Sequence, residues 1–250
     1  MLYRYTPGGY GYYRSLREFK DPNYIHDRDK HTIRAKHHGA DGWQSNGDDG
    51  IIYRDYTDYE EYVVHQSVKL DEMLKIGGGF SNATIKEYRL KFYRRFRELK
   101  RILDKDADIL CLGARQGTEV EVLRDLGFAR STGIDLNPGP RNNLVLKGNF
   151  LKLDSPSNSI DLVYSNAIDH ALNLEEFFLE HARVIKPNGY ALYDIPLSAG
   201  GPSEAVQWDS ATRIIDLMLH HFGDIVRVNT EQHWKWILLS GKKLKRQAPR

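Results

Sequence analysis

The sequence predicts an α/β fold built on a mostly parallel sheet, and two observations carry that expectation. From about residue 107 onward, short apolar runs alternate with stretches whose apolar residues recur at three- and four-residue steps. The helical stretches that separate the strands have the length that right-handed βαβ crossovers require.

Taken in order, residues 1–52 sustain neither period, and Gly8-Gly9, Gly39, Gly42, Asn46-Gly47 and Asp49-Gly50 mark turns. They read either as an arm or as an aromatic segment over the mouth of a site. Thr57-Asp58-Tyr59-Glu60 has the form of a capping box, and Tyr59, Val63, Leu70 and Leu74 then share a helical face up to Gly77-Gly78-Gly79. A second helix is expected from Thr84-Ile85-Lys86-Glu87, with Ile85, Tyr88, Phe92, Phe96, Leu99 and Leu103 as its apolar stripe. Its other face carries Arg89, Lys91, Arg94, Arg95, Arg97, Lys100 and Arg101, which reads as a solvated basic face.

Strands follow at 108–113, 131–135, 144–147, 160–164 and 190–195, with two more near 224–229 and 233–239. Helices are expected at 118–126, 174–185 and 208–222, the middle one stopped by Pro187-Asn188-Gly189.

Composition bounds the function classes. The 250 residues carry 36 Lys+Arg against 34 Asp+Glu, a net charge of +2, which argues against a surface given over wholly to nucleic acid. The one cysteine, Cys111, allows no internal disulfide and no cysteine-based zinc site. No run approaches the ~20 apolar residues of a membrane span, and Met1-Leu2-Tyr3-Arg4-Tyr5 leads into Pro and Gly without a secretory pattern. The expectation is a cytoplasmic protein of ordinary core composition. Residues 1–62 nonetheless hold 10 of the 15 tyrosines, so the chain divides into an N-terminal arm with helices, 1–103, expected to cover the substrate, and a larger domain, 104–250. His26, Asp27, Asp29 and His31 read as a surface cluster rather than a metal site, since they lack a helical HExxH arrangement.

In an open parallel sheet, ligands bind beyond the carboxyl ends of the strands, so residues just after each strand are the informative ones. Gly113-Ala114-Arg115-Gln116-Gly117 follows the first strand. It does not fit a dinucleotide fingerprint, but it suits a Gly-x-Gly-x-Gly loop whose middle glycine is Arg115. Asp135 ends the second strand, 18 residues past Gly117, where a carboxylate can accept both hydroxyls of a ribose. Gly148-Asn149-Phe150 follows the third strand, and Ser165-Asn166-Ala167-Ile168-Asp169-His170 the fourth.

In the order of these motifs, and in Arg183-Val-Ile-Lys-Pro-Asn-Gly189, the chain resembles the class I S-adenosylmethionine-dependent methyltransferases over about residues 107–240. The resemblance implies a Rossmann-like three-layer α/β/α sandwich with a seven-stranded, mostly parallel sheet whose last strand is antiparallel, preceded by the N-terminal extension. It implies S-adenosylmethionine as cofactor, S-adenosylhomocysteine as product, and cofactor contacts at Gly113, Ala114, Arg115, Gly117, Asp135, Leu136, Asn149, Phe150 and Asn166. Arg115 stands where the family has glycine, and Asn149 where Asp is common. The run 62–70 is loosely similar to a helix of methyltransferases in glycan and sugar pathways.

For the transfer itself, His170 is the first candidate base, because it follows the fourth strand and titrates near neutrality, and Asp169 is the second. Cys111 lies within a strand and does not suit cytosine-C5 chemistry, and Ser165-Asn166-Ala167-Ile168 lacks the Pro-Pro signature of exocyclic amine methylation. The reading is O-methylation of a small molecule or saccharide. Two alternatives stand beside it. One is an RNA methyltransferase using the basic face and aromatic arm, and the other is a cofactor-binding subunit that supports a partner. Gly200 and Gly201, in the loop 198–203, suit a lid.

Overall fold

The computed structural model describes residues 43–45, 50–66, 82–138, 143–199, 204–231 and 234–241. The chain runs through β1 (Trp43–Ser45), β2 (Ile51–Arg54), a helix α1 over 59–66, and α2 (Asn82–Phe96), which tightens into a 3-10 segment at Arg97–Arg101. Next come β3 (Ile109–Leu112), α3 (Thr118–Asp125), β4 (Ser131–Asp135), β5 (Val145–Lys147) and β6 (Ile160–Ser165), with a 3-10 turn at Ile168–His170. The remainder is α4 (Leu174–Val184), β7 (Ile185–Pro196), β8 (Val206–Trp208), α5 (Ala211–His221), β9 (Ile225–Glu231) and β10 (Trp234–Ser240).

Seven strands form one sheet in the order β5-β4-β3-β6-β7-β10-β9. The first five run parallel, and β10 runs antiparallel to both β7 and β9. All four residues of β3 are buried, as the central strand of a sheet covered on both faces must be. Side chains alternate between the faces. Leu110, Leu112, Val163 and Tyr193 pack under α4 and α5, whereas Ile109, Cys111, Leu162 and Tyr164 pack under α2 and α3. This is the Rossmann-like α/β/α sandwich that the sequence predicted, with its last strand antiparallel.

The local signals act where the chemistry requires them. Asn173 caps α4, its Oδ1 accepting the Glu175 and Glu176 N–H groups at 2.9 and 3.1 Å. At α1 the box is shifted by one residue. Asp58 Oδ1 accepts the Glu61 N–H at 2.8 Å, while Glu61 reaches back to the N–H and hydroxyl of Thr57. The acid partner is thus Glu61, not Glu60. Pro187-Asn188-Gly189 lies inside the span of β7, and a Cβ at Gly189 would stand 2.8 Å from the Asp161 carbonyl, so close backbone contact explains that glycine. Trp208 ends β8 instead of opening α5, which starts at Ala211 behind the Ser210 cap.

A second sheet, β1-β2-β8, is antiparallel throughout and was not foreseen from the sequence. It ties residues 43–54 to 206–208, so backbone pairing crosses between the N-terminal part and the domain after residue 104. The helix end at 77–79, the lid glycines 200 and 201, and the cluster at 26–31 lie outside the described residues.

Candidate active site

At the carboxyl ends of β3, β4 and β6 the chain opens into a cleft of about 310 Å³. Gly113, Ala114, Arg115, Asp135, Leu136, Phe150, Asn166, Asp169 and His170 all line it. Of the expected site residues, Gly117 and Asn149 are not part of its wall.

The glycine loop is shaped by backbone strain and close approach. Gly113 has φ 71°, and a Cβ there would lie 2.5 Å from Ala167 Cβ, so only glycine fits between β3 and the chain after β6. Arg115 adopts φ 42°, a left-handed conformation uncommon for a side-chain-bearing residue. That turn directs the Arg115 N–H at Asp135 Oδ2, 2.9 Å away, while the Asn137 N–H donates to Oδ1 at 2.8 Å. The Asp135 carboxylate is therefore oriented before any ligand arrives. Gly117, at φ 75°, begins α3 without a side-chain cap. Amide groups of the first turn are left for other partners.

Asn149 is turned to its own loop, its Oδ1 accepting the Leu151 N–H at 2.8 Å. Phe150 lies against Phe177 with ring centroids 5.2 Å apart, and its carbonyl meets His181 Nε2 at 3.2 Å. His181 is wholly buried, and its Nδ1 is 3.0 Å from the Tyr193 hydroxyl. Burial drives its pKa down to about 3, so the ring is neutral, with Nε2 donating to Phe150 and Nδ1 accepting from Tyr193.

The turn at 168–170 is held from three sides. Ser165 Oγ donates to the Leu112 carbonyl at 3.1 Å and accepts the Ala167 N–H at 3.2 Å. Tyr62, from α1, donates its hydroxyl to the His170 carbonyl at 2.9 Å, and the Ala205 N–H donates to the Asp169 carbonyl at 2.8 Å. Asp169 Oδ1 stands 3.8 Å from His170 Nε2, too long for a hydrogen bond.

Several residues of the wall are not among those expected from the sequence, Glu119, Lys91, Glu204 and Gln66 among them. Glu119, in the first turn of α3, is buried, and burial, with repulsion from Asp135, raises its carboxyl pKa to about 8. Lys91 reaches in from α2 with its ammonium 4.4 Å from the centre of the Trp234 ring, and burial lowers its pKa. Glu204 precedes β8, and Gln66 comes from α1. A signal for Lys91 was present: residues 88, 91, 92, 95 and 96 fall on one helical face, so Lys91 and Arg95 belong to the apolar stripe. Arg95 is buried, its Nε 2.7 Å from Asp194 Oδ1. The basic face is accordingly solvated only in part: Arg97, Lys100 and Arg101 are exposed, whereas Arg95 is buried. Arg89 pairs with Glu121 and Asp125, Arg94 with Glu231, and Arg101 with Glu98. Cys111 is fully buried, and burial pushes its thiol pKa well up, which makes it a poor nucleophile. Among the described residues no group of three His, Cys, Asp or Glu could hold a metal ion, and no helix is long and apolar enough to cross a membrane.

A glycine loop with no room for a Cβ, a preset carboxylate after β4 and this strand order agree with the class I S-adenosylmethionine-dependent methyltransferase fold. Residues 110–193 match the family described as methyltransferase domain. No curated protein matches the chain in sequence.

Solved structures share the fold. One is the 1,6-didemethyltoxoflavin-N1-methyltransferase of Burkholderia thailandensis with bound 1,6-didemethyltoxoflavin and S-adenosylhomocysteine. It has TM-score 0.59 and 11% identity over 81% of this chain and 100% of that one. A Pyrococcus horikoshii protein has TM-score 0.54 and 18% identity, covering 66% of this chain and 95% of that one. A Haloferax volcanii chain solved in complex with the Trm112 methyltransferase activator has TM-score 0.52 and 14% identity, covering 65% and 98%.

Proposed function

We propose that the chain transfers a methyl group to an oxygen of a small-molecule or saccharide acceptor, with His170 as the base and Asp169 as its electrostatic support. The observation that carries this reading is the placement of Asp169 and His170 in the cleft wall, on a turn fixed by Tyr62, Ser165 and Ala205. The cofactor supplies an electrophilic methyl carbon on a sulfonium. Gly113 and Ala114 would lie against it, Asp135 would accept its ribose hydroxyls, and Leu136 and Phe150 would flank its adenine. Arg115 and Lys91, two basic residues of the wall, would suit its carboxylate.

This chain's own work is then to align and to deprotonate. Holding two reacting groups in line can supply roughly 7–11 kcal/mol of the barrier. His170 takes the acceptor's hydroxyl proton, a role worth roughly 10²–10⁴-fold, and the Asp169 carboxylate stabilises the imidazolium that results. Residues 1–103 are read as the part that covers the acceptor, supported by Tyr62 and Gln66 in the cleft wall.

Within the basic face that favoured an RNA acceptor, Arg95 is buried against Asp194 and Arg89, Arg94 and Arg101 are paired with acids, which weighs against that reading. The ionisable groups beside the 168–170 turn favour catalysis over a purely supporting subunit. The test is transfer of labelled methyl groups to a panel of hydroxylated acceptors. His170→Asn is expected to lose about 10²–10⁴-fold in kcat with unchanged S-adenosylhomocysteine affinity. Full activity in that variant would overturn the assignment of the base.

A further inference from the structure

Glu204 stands in the cleft wall, and its Oε2 is shut off from solvent with no hydrogen-bond partner among the described residues. A buried carboxylate oxygen is costly to leave unsatisfied, and such an orphan in a folded protein marks a contact still to be made. The fold fixes the residue through its backbone. Arg54 Nε donates to the Glu204 carbonyl at 3.1 Å, and the Arg54 N–H donates to the Ala205 carbonyl at 2.8 Å. The Ala205 N–H in turn donates to the Asp169 carbonyl at 2.8 Å. Glu204 is thereby tied to the turn after β6, whereas Asp135 ends β4, two strands away in the sheet. At about 4.8 Å per strand the two carboxylates serve different halves of the cleft. The ligand that Glu204 awaits is on this ground the acceptor and not the cofactor.

We propose that Glu204 is an acceptor-binding residue, selecting acceptors that present a hydrogen-bond donor, a hydroxyl or a protonated amine, beside the 168–170 turn. The inference rests on the acceptor entering there, as in the function proposed above. An ionised carboxylate only accepts hydrogen bonds, so an ether oxygen in that place leaves it unsatisfied and a second carboxylate is repelled. Neither the composition nor any motif marks Glu204, because its position depends on β2, which lies 150 residues earlier in the chain.

The test uses the full chain saturated with S-adenosylhomocysteine and three probes of similar size: benzylamine, benzyl alcohol and benzyl methyl ether, followed by ligand-observed NMR. At least one donor-bearing probe is expected to bind about tenfold or more tightly than the ether, because a site built for a donor rejects the analogue that lacks it. The amine and alcohol arms identify which donor is preferred. The preference is expected to vanish in Glu204→Met, whereas Glu204→Gln, which keeps an acceptor oxygen, retains part of any preference for the alcohol. S-adenosylhomocysteine affinity stays the same in all three proteins. A second readout separates recognition from support of the fold. Removing an unpartnered carboxylate leaves the thermal midpoint unchanged or raises it.

Equal binding of the three probes to the wild-type protein, including no binding of any, overturns the inference. So does a preference that survives in Glu204→Met, or a fall of several degrees in the midpoint of both variants. The assignment of His170 fails on a different observation, full methyl transfer by His170→Asn, so the two failures are separable.

Discussion

Asp135 and Glu119 show how two carboxyl groups in one cleft are set apart by their surroundings. Asp135 receives two backbone N–H groups, whereas Glu119 is buried in the first turn of α3, and burial raises its carboxyl pKa. Hydrogen bonds to a charged group contribute about 1.5–3 kcal/mol each. Asp135→Ala is therefore expected to weaken S-adenosylhomocysteine binding at least tenfold by calorimetry, without loss of the fold. Glu119 makes a pH prediction. Its folded pKa of about 8 is above the ordinary 4.5, so the folded state holds the proton more tightly than the unfolded chain. The stability linked to that proton is complete below about pH 4.5 and lost as pH rises through about 8. Denaturant titrations from pH 5 to pH 9 should show this loss, and Glu119→Gln should flatten it. An equal slope in the variant would place the titration elsewhere.

At the scale of elements, α2 is fastened to the sheet by a buried polar junction. Arg95 Nε meets Asp194 Oδ1 at 2.7 Å, and the Tyr164 hydroxyl donates to Asp194 Oδ2 at 3.0 Å. Arg95 Nη1 also donates to the Lys91 carbonyl at 3.2 Å, which joins the junction to the cleft wall. Removing one member of a buried pair costs about 3–5 kcal/mol, because the other is left charged and alone. Arg95→Met should show a loss of this size in urea unfolding, and Arg95→Met with Asp194→Leu should recover much of it. Helix α4 makes the complementary pH case. The folded pKa of His181, about 3, is below the usual 6.5, so the stability it contributes is present above about pH 6.5 and lost as pH falls towards 3. His181→Gln is expected to lessen acid unfolding between these values.

The βαβ elements were legible because their signals are local. The apolar run 109–112, the Asn173 cap and the Gly113 and Gly117 turns each lie within a few residues of what they determine. The buried charges of α2 were not read, because Lys91 and Arg95 resemble their exposed neighbours in composition and differ only in helical phase.

At the scale of the whole molecule, the feature hidden in the sequence is the sheet β1-β2-β8. Its strands are three or four residues long, too short for a period of two to declare itself, and β2 and β8 are about 150 residues apart. The part of the wall proposed for the cofactor could be located in the sequence for the converse reason: Gly113 and Asp135 follow one another along one stretch of chain. The part proposed for the acceptor is assembled from Tyr62, Gln66, the 168–170 turn and Glu204, which come from distant segments. Arg54 is the link between them, since it holds both Glu204 and Ala205 through hydrogen bonds. Arg54→Ala is expected to lower kcat/KM for methyl transfer by up to about 100-fold, the scale of a small misplacement of reacting groups. S-adenosylhomocysteine affinity should change little, because Gly113 and Asp135 do not depend on this sheet.

The central claim is that the cleft beyond β3, β4 and β6 binds the cofactor of a methyltransferase. Calorimetric titration of the full chain with S-adenosylhomocysteine tests it most directly. Saturable one-to-one binding is expected, weakened at least tenfold in Asp135→Ala and lost in Gly113→Val, whose side chain would collide with Ala167. A folded wild-type protein that gives no binding heat across several temperatures, or binding that both variants leave unchanged, would contradict it.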